Sequence, residues 1–329
     1  MEKSGFTKIL DVIRGTQVKD IPGLIWKFHQ RFGILKTLAI LYILAGFTFL
    51  WLKANGLWFK KSIRGKHVFI TGGGSGLGRD MALILAKKGA KVSVSDINLE
   101  SAQETVEMVK SSKGKAHAVA LDVTNPEDIT KAHESAKEQF GVVDILINNA
   151  GITFGRSIVN STPREIDLVY KVNAISHAYI AKQFLPDMIK QDSGHVVTIS
   201  SAASTVGVAN NADYAASKWA CFGYDESLRS ELRKMGSKVK TTCICPYYIN
   251  TGMFEGVKSK CPILLPFLDQ NWTTRRIINS ILQEEPVTYM PFMVNLNGLL
   301  RAILPTCLFD SVQDLVGTSS GMDTFVGRK

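Results

Sequence analysis

From residue 66 onward, short apolar or alternating runs take turns with longer stretches whose apolar residues recur every three or four positions. The short runs read as strands: KHVFI, AKVSVSD, KAHAVAL, VDILINN, GHVVTIS, KVKTTCIC and VTYM. GLGRDMALILAKKG reads as the first helix, and helical spacing predicts others over 126–141, 173–191, 213–235 and 271–284. Strands that alternate with helices predict an α/β fold, a doubly wound parallel sheet with helices on both faces. No repeat, low-complexity run or long linker marks a second globular domain, so residues 65–290 are expected to form one domain.

Two apolar stretches break this rhythm. Residues 37–52, TLAILYILAGFTFLWL, carry no charge for sixteen positions. Lys36 and Lys53 could snorkel to lengthen the stretch to nearly a bilayer span, and Trp51, Trp58 and Phe59 are interfacial aromatics. A secretory signal peptide would lie nearer the start and end in small residues, and a soluble helix apolar on every side would need a large core around it. The pattern favours a membrane anchor at about 35–53 within a basic region, 1–64, as a span or as a hairpin in one leaflet. The second stretch, PFMVNLNGLLRAILPTCLF, opens a C-terminal extension over 291–329. Arg301 and Pro305 interrupt it, which suits an interfacial or substrate-entrance helix better than a span.

Charge sharpens this picture. Residues 1–66 hold twelve Lys and Arg against three acids, so nearly all of the net charge of +10 surrounds the apolar segment. That placement points to anionic membrane lipid, with no nucleic acid expected as partner. Close to the segment, Lys53, Lys60, Lys61, Arg64 and Lys66 follow it while Lys27, Arg31 and Lys36 precede it, which slightly favours a cytosolic main domain. Asn160-Ser-Thr and Asn271-Trp-Thr are formal glycosylation sequons, unused in that compartment. Five cysteines without a CxxC argue for a reducing environment, and Cys243 and Cys245 would share one strand face as core residues. Six histidines without HExxH or a Cys/His cluster predict no metal site.

The candidate chemistry begins at ADYAASKWA, where Tyr214 and Lys218 stand one helical turn apart on one face. A cation beside a phenol favours the phenolate, the form a proton-abstracting tyrosine needs. Upstream, TGGGSGLG joins the first strand to the first helix. Its Gly72, Gly76 and Gly78 allow a tight turn, close approach to a pyrophosphate and close packing of helix on sheet, with Ser75 and Leu77 completing the loop. Asp96 ends the second strand, where a carboxylate can accept hydrogen bonds from an adenosine ribose and would repel a 2′-phosphate. Neither Ser75 nor Ile97 and Asn98 supplies a cation for such a phosphate, so NAD is favoured over NADP.

The loop from Thr71, NNAG at 148–151, Asn173 in KVNA, Ser201 in ISSAAS and Tyr214-x-x-x-Lys218 together resemble the short-chain dehydrogenase/reductase superfamily in order and spacing, over roughly 65–290. The resemblance implies a Rossmann domain in which Tyr214 is general acid/base, Lys218 favours the phenolate and binds the nicotinamide ribose, and Ser201 hydrogen-bonds the reacting oxygen. It implies that Asn173 holds a water in the proton path. Asp122 with Val123 would meet the adenine, Asn149, Ala150 and Gly151 would line the cofactor, and Thr251 would meet the nicotinamide. It also implies a homodimer through the helix carrying Tyr214. Pro246-Tyr247 departs from the Pro-Gly common in the superfamily.

KTTCICPYYINTGMFEG, ILQEEPVTYMP and MDTFVGRK further resemble a membrane-bound branch of retinol and 17β-hydroxysteroid dehydrogenases. That implies residence on the endoplasmic reticulum or lipid droplets and oxidation of retinol, or of a hydroxysteroid, with NAD. A lipid-droplet scaffold with little catalytic role is the contrasting expectation. Met253, Phe254, Ile263, Leu264, Leu265, Phe267 and Leu268 fall where a substrate lid is expected, and an apolar lid suits a lipophilic substrate such as a retinoid or steroid; core packing or lipid contact is the alternative.

Overall fold

A computed structural model describes residues 59–327 and, before them, residues 33, 41, 42, 44–46, 48 and 49. Chain contacts divide the protein into two units, 1–59 and 60–329. The described residues of the first unit are helical except Phe59. The rest of the expected anchor at 35–53 and its basic N-terminal flank lie outside the described residues. Among the described residues, no helix is long and apolar enough to cross a membrane.

The second unit is built on seven parallel strands: β1 (His67–Thr71), β2 (Lys91–Asp96), β3 (Lys115–Ala120), β4 (Ile145–Asn148), β5 (His195–Ile199), β6 (Lys240–Pro246) and β7 (Val287–Met290). Their order is β3-β2-β1-β4-β5-β6-β7. The order reverses between β1 and β4, which opens a crevice at the carboxyl ends of the strands. The helices are α1 (Gly76–Lys87), α2 (Leu99–Ser111), α3 (Pro126–Phe140), α4 (Pro163–Tyr170), α5 (Ser176–Lys190), α6 (Ala212–Lys234), α7 (Gln270–Leu282), α8 (Leu296–Ile303) and α9 (Thr306–Val316).

Successive side chains of a strand face opposite ways, so each strand feeds two cores. Val68 and Ile70 pack with Met81, Leu85 and Ile281 of α1 and α7. Phe69 packs with Ile180, Phe184 and Met188 of α5, its ring centre 4.7 Å from that of Phe184. Both faces are covered, which is why all five residues of β1 are buried and its middle, Val68-Phe69-Ile70, is apolar. Cys243 and Cys245 are buried on β6 with sulfurs 3.9 Å apart, and that contact together with burial pushes the Cys243 thiol well up, as befits inert core residues.

Two elements differ from the sequence reading. The helix expected from residue 173 begins at Pro163, where Thr162 and Glu165 form a reciprocal capping box. It then widens into one π turn, Lys171–Ile175, before α5. Arg301 does not interrupt the C-terminal stretch. It lies inside α8, its guanidinium 5.1 Å from the Trp219 ring and 4.9 Å from the Phe309 ring, and donates to the Thr205 carbonyl at 3.2 Å. The break comes at Leu304, which Pro305 forces into an extended conformation.

Every histidine among the described residues has its pKa lowered, chiefly by burial, and His177 falls to about 3. Unfolded histidine titrates near ~6.5, so between those values the unfolded chain binds more protons and stability declines as pH falls. Both ring nitrogens of His177 are buried without a partner. His177→Leu is expected to flatten the loss of unfolding free energy between pH 6.5 and 4 in denaturant titrations, and an unchanged slope would contradict that assignment.

Candidate active site

β1 ends at Thr71, and the chain turns through residues 72–75 into α1, whose first turn carries no acidic side chain. Thr71 Oγ1 accepts from the Asn149 and Ala150 amides, both at 3.0 Å, and Asn149 Nδ2 donates to the Thr71 and Gly72 carbonyls at 2.9 and 3.0 Å. The glycine loop is thereby pinned to the end of β4. A methyl group at Gly78 would overlap the Gly72 carbonyl oxygen, so helix and loop approach as only glycine permits. Gly76 has φ +53°, and a methyl group there would meet open space, which leaves a cradle lined by backbone at a helix N-terminus.

Behind the loop, Asp96 Oδ2 accepts from the Gly74 amide at 3.0 Å and Oδ1 from the Asn98 amide at 3.1 Å. Arg79 reaches under the same loop to the Gly74 carbonyl and to Glu104 at 2.8 Å, so its charge is spent locally. Asp122 Oδ1 accepts from Thr124 Oγ1 at 2.7 Å, which leaves the other oxygen uncommitted in the hydrogen bonds described.

The loop opens into one cleft of about 680 Å³, a volume typical of small-molecule sites. Gly72, Ser75, Gly76, Leu77, Gly78, Asp96, Asp122, Val123, Asn149, Ala150, Gly151, Ser201, Tyr214, Lys218 and Thr251 all line it. Asn173 does not. It is fully buried behind the wall in the π turn, a feature frequent at functional sites. Its side chain accepts from the Ile152 amide at 2.8 Å and donates to the Ile152 carbonyl at 2.9 Å and to Ser217 Oγ at 3.1 Å, fixing the segment after Gly151.

Tyr214 and Lys218 lie near the start of α6, 6% and 3% exposed. The Lys218 ammonium sits 5.6 Å from the centre of the phenol ring and donates to the Ile199 carbonyl at 2.9 Å. Ser201 caps the short turn Ala202–Ser204, its Oγ accepting from the Ala203 amide at 3.1 Å. Phenol, ammonium and hydroxyl thus converge on one cleft, the first two almost wholly buried, an arrangement able to take a proton from a bound alcohol.

Around Tyr214 the lining is largely apolar, with Ala203, Val206 and Val208 among it. Met253 and Phe254 line the cleft too, and the Phe254 ring meets Tyr214 edge-on at 5.9 Å. The rest of the expected lid divides differently: Leu268 joins the core, while Ile263 is 92% exposed and Leu264 also faces solvent. Tyr247, where the resemblance leads one to expect glycine, and its neighbour Tyr248 both line the cleft, with ring centres 4.7 Å apart. Burial pushes both phenols up, so they stay neutral and contribute shape. Sequence reading missed Tyr248, Ile152, Val208 and Thr318, which also line the cleft. The double aromatic at Pro246-Tyr247-Tyr248 was the available signal for the first; Thr318 carries none.

A short chain dehydrogenase family model matches residues 66–262, the segment that carries the loop, Ser201, Tyr214 and Lys218. The chain belongs to that family. This short-chain dehydrogenase is 40% identical to epidermal retinol dehydrogenase 2 of Mus musculus over 82% of its own length and 88% of the relative's. It is 35% identical to estradiol 17-beta-dehydrogenase 11 of Homo sapiens, over 75% and 81% of the two chains. A metagenomic short-chain oxidoreductase solved in complex with NADP shares the fold, with a TM-score of 0.58 at 24% identity over 70% of this chain and 97% of that one. The protein is an oxidoreductase, and the backbone cradle at Gly76 with its helix N-terminus fits the pyrophosphate of a nicotinamide dinucleotide.

Proposed function

We propose that this enzyme oxidises a lipophilic alcohol with NAD, with all-trans-retinol to all-trans-retinal as its reaction. The observation that carries the reading is the largely apolar lining of the cleft around Tyr214, edged by Phe254, together with relatives named as retinol dehydrogenases. Tyr214 would remove the hydroxyl proton, Lys218, its ammonium 5.6 Å from the phenol ring centre, would hold the ribose, and Ser201 would hold the reacting oxygen. The nicotinamide supplies the hydride acceptor when bound. Asn173 would act from behind, holding residue 152 and with it the floor beside Gly151. Membranes carrying the full chain are expected to form retinal from all-trans-retinol with NAD; no product above empty membranes, with folded protein present, would reject retinol. The relatives named estradiol 17-beta-dehydrogenase 11 support a second reading, a 17β-hydroxysteroid dehydrogenase, and faster turnover of estradiol than of retinol would establish it.

The choice of NAD rests on Asp96. Its carboxylate lines the cleft, and Lys218 is the only Lys or Arg among the described lining residues, so a 2′-phosphate would meet repulsion without a counter-ion. Hydrogen bonds to a charged group contribute about 1.5–3 kcal/mol, so Asp96→Ala is expected to raise the KM for NAD about tenfold or more and to narrow its advantage over NADP. A wild-type enzyme that prefers NADP would overturn this choice.

The apolar segment and its basic flanks support residence on the endoplasmic reticulum membrane or lipid droplets with the catalytic unit in the cytosol. Asn160 and Asn271 are both exposed, so a mass shift on endoglycosidase treatment would contradict the cytosolic placement.

A further inference from the structure

Residues 317–327 return from α9 across three loops that frame the apolar end of the cleft. The Val326 amide donates to the Glu255 carbonyl at 2.9 Å, the Lys258 amide to the Gly321 carbonyl at 3.3 Å, and Thr324 Oγ1 to the Gly256 carbonyl. Asn210 Nδ2, two residues before α6, donates to Asp323 Oδ1 at 3.1 Å. Met322 is 3% exposed, so this segment packs as structure. Thr318 lines the cleft itself.

One side chain of the segment reaches toward the reacting group. The Phe325 ring lies on Gly155, in the loop after β4, so closely that a methyl group there would overlap it, and Gly155 has φ +61°. Phe325 also meets Phe254, ring centres 6.5 Å apart, and Phe254 in turn meets Tyr214 at 5.9 Å. Phe254 belongs to a short turn, Gly252–Phe254, in which no residue is buried. Rings that meet edge-on at these separations attract beyond their buried area and fix each other's orientation.

We infer that Phe325 is a positioning residue for substrate: it holds Phe254 against Tyr214 and so sets the width of the lipophilic end of the cleft. This rests on the reading of Tyr214 as the acid/base at the alcohol. Phe325 touches neither the cofactor loop nor Lys218 in the contacts described, so its effect belongs to alcohol binding. A long or polycyclic alcohol that fills the apolar end needs Phe254 in place, whereas a two- or three-carbon alcohol occupies only the space at Tyr214.

The test uses full-length protein in detergent micelles. An aromatic contact of this kind corresponds to roughly three- to tenfold in affinity, so Phe325→Ala should raise the KM for all-trans-retinol or estradiol by about that factor. The kcat, the Kd for NAD and the kinetics of 2-propanol should stay within twofold, and Phe325→Tyr should restore the KM. Gly155→Ala displaces the ring without removing it and should mimic Phe325→Ala in KM; its φ of +61° strains the added methyl and lowers Tm in both backgrounds, but the double variant should be no worse in KM than either single one, since the methyl then meets no ring. An unmoved KM, additive effects, or a KM rise matched by loss of NAD binding would overturn the inference. Acrylamide quenching of a tryptophan introduced by Phe254→Trp, measured against the parent protein, adds an arm that needs no turnover. Greater quenching in the Phe325→Ala background is expected, and equal quenching overturns the positioning role. If the wild type oxidises no alcohol while quenching still responds, the functional reading fails and the contact between the two rings stands.

Discussion

Tyr214→Phe is expected to leave the fold and NAD affinity intact and to lower kcat for the alcohol by about a thousandfold, within the range that general acid–base catalysis contributes. Only the phenolic oxygen is lost: the ring keeps its burial, its edge contact with Phe254 and its place above the Lys218 ammonium. Without that oxygen the alcohol proton has no acceptor at the reacting carbon's side of the cleft, because Tyr247 and Tyr248 are held neutral by burial. Steady-state rates with saturating NAD, beside an NAD titration followed by nucleotide fluorescence quenching, separate the two quantities. A kcat within threefold of wild type would remove Tyr214 from the chemistry and revive the scaffold reading.

The second large effect is expected at Gly78. Its α-carbon faces the Gly72 carbonyl oxygen so closely that the methyl group of Gly78→Ala would overlap backbone, with Asn149 Nδ2 a further 2.8 Å neighbour. A flexible side chain could yield, whereas a carbonyl fixed by Asn149 at 3.0 Å cannot move without releasing the loop. Overpacking of this kind costs about 1–3 kcal/mol, and displacement of the cradle falls directly on the cofactor, so NAD affinity should drop by as much as about a hundredfold. The same variant should lower Tm by several degrees. NAD binding that stays within threefold of wild type would show that the loop does not grip the pyrophosphate through this approach.

Much of the fold was legible because parallel strands buried on both faces leave an apolar signature. HVFIT of β1 and HVVTI of β5 were found within a residue or two of their ends for that reason. The glycine loop, Asp96 and the Tyr214/Lys218 pair were legible because their spacing follows from strand, turn and helix geometry. What escaped depends on contacts distant in sequence. Leu268 and Ile263 are equally apolar in the chain, yet one pairs with Tyr248 at 2.9 Å through backbone and enters the core while the other faces solvent. No local pattern distinguishes them. The start of α4 was a different omission, since Thr162-x-x-Glu165 is a readable capping signature. The partnership of Phe325 with Gly155 and Phe254 had no such signal.

The π turn at Lys171–Ile175 has a consequence for the helices it joins. An α-helix advances about 100° per residue, so one surplus residue in the turn re-phases everything after it by that angle. Before the turn, the buried side of α4 presents Val169 to the small cluster with Ala203, Tyr214 and Ala215; after it, α5 presents Ile180, Phe184 and Met188 to the large core beneath the sheet. One nearly continuous helix thereby serves two differently oriented interiors, with Asn173 at the seam. Deleting a single residue there would heal the helical repeat and at the same stroke rotate one of the two stripes out of register, so this segment should tolerate substitution far better than a change of length.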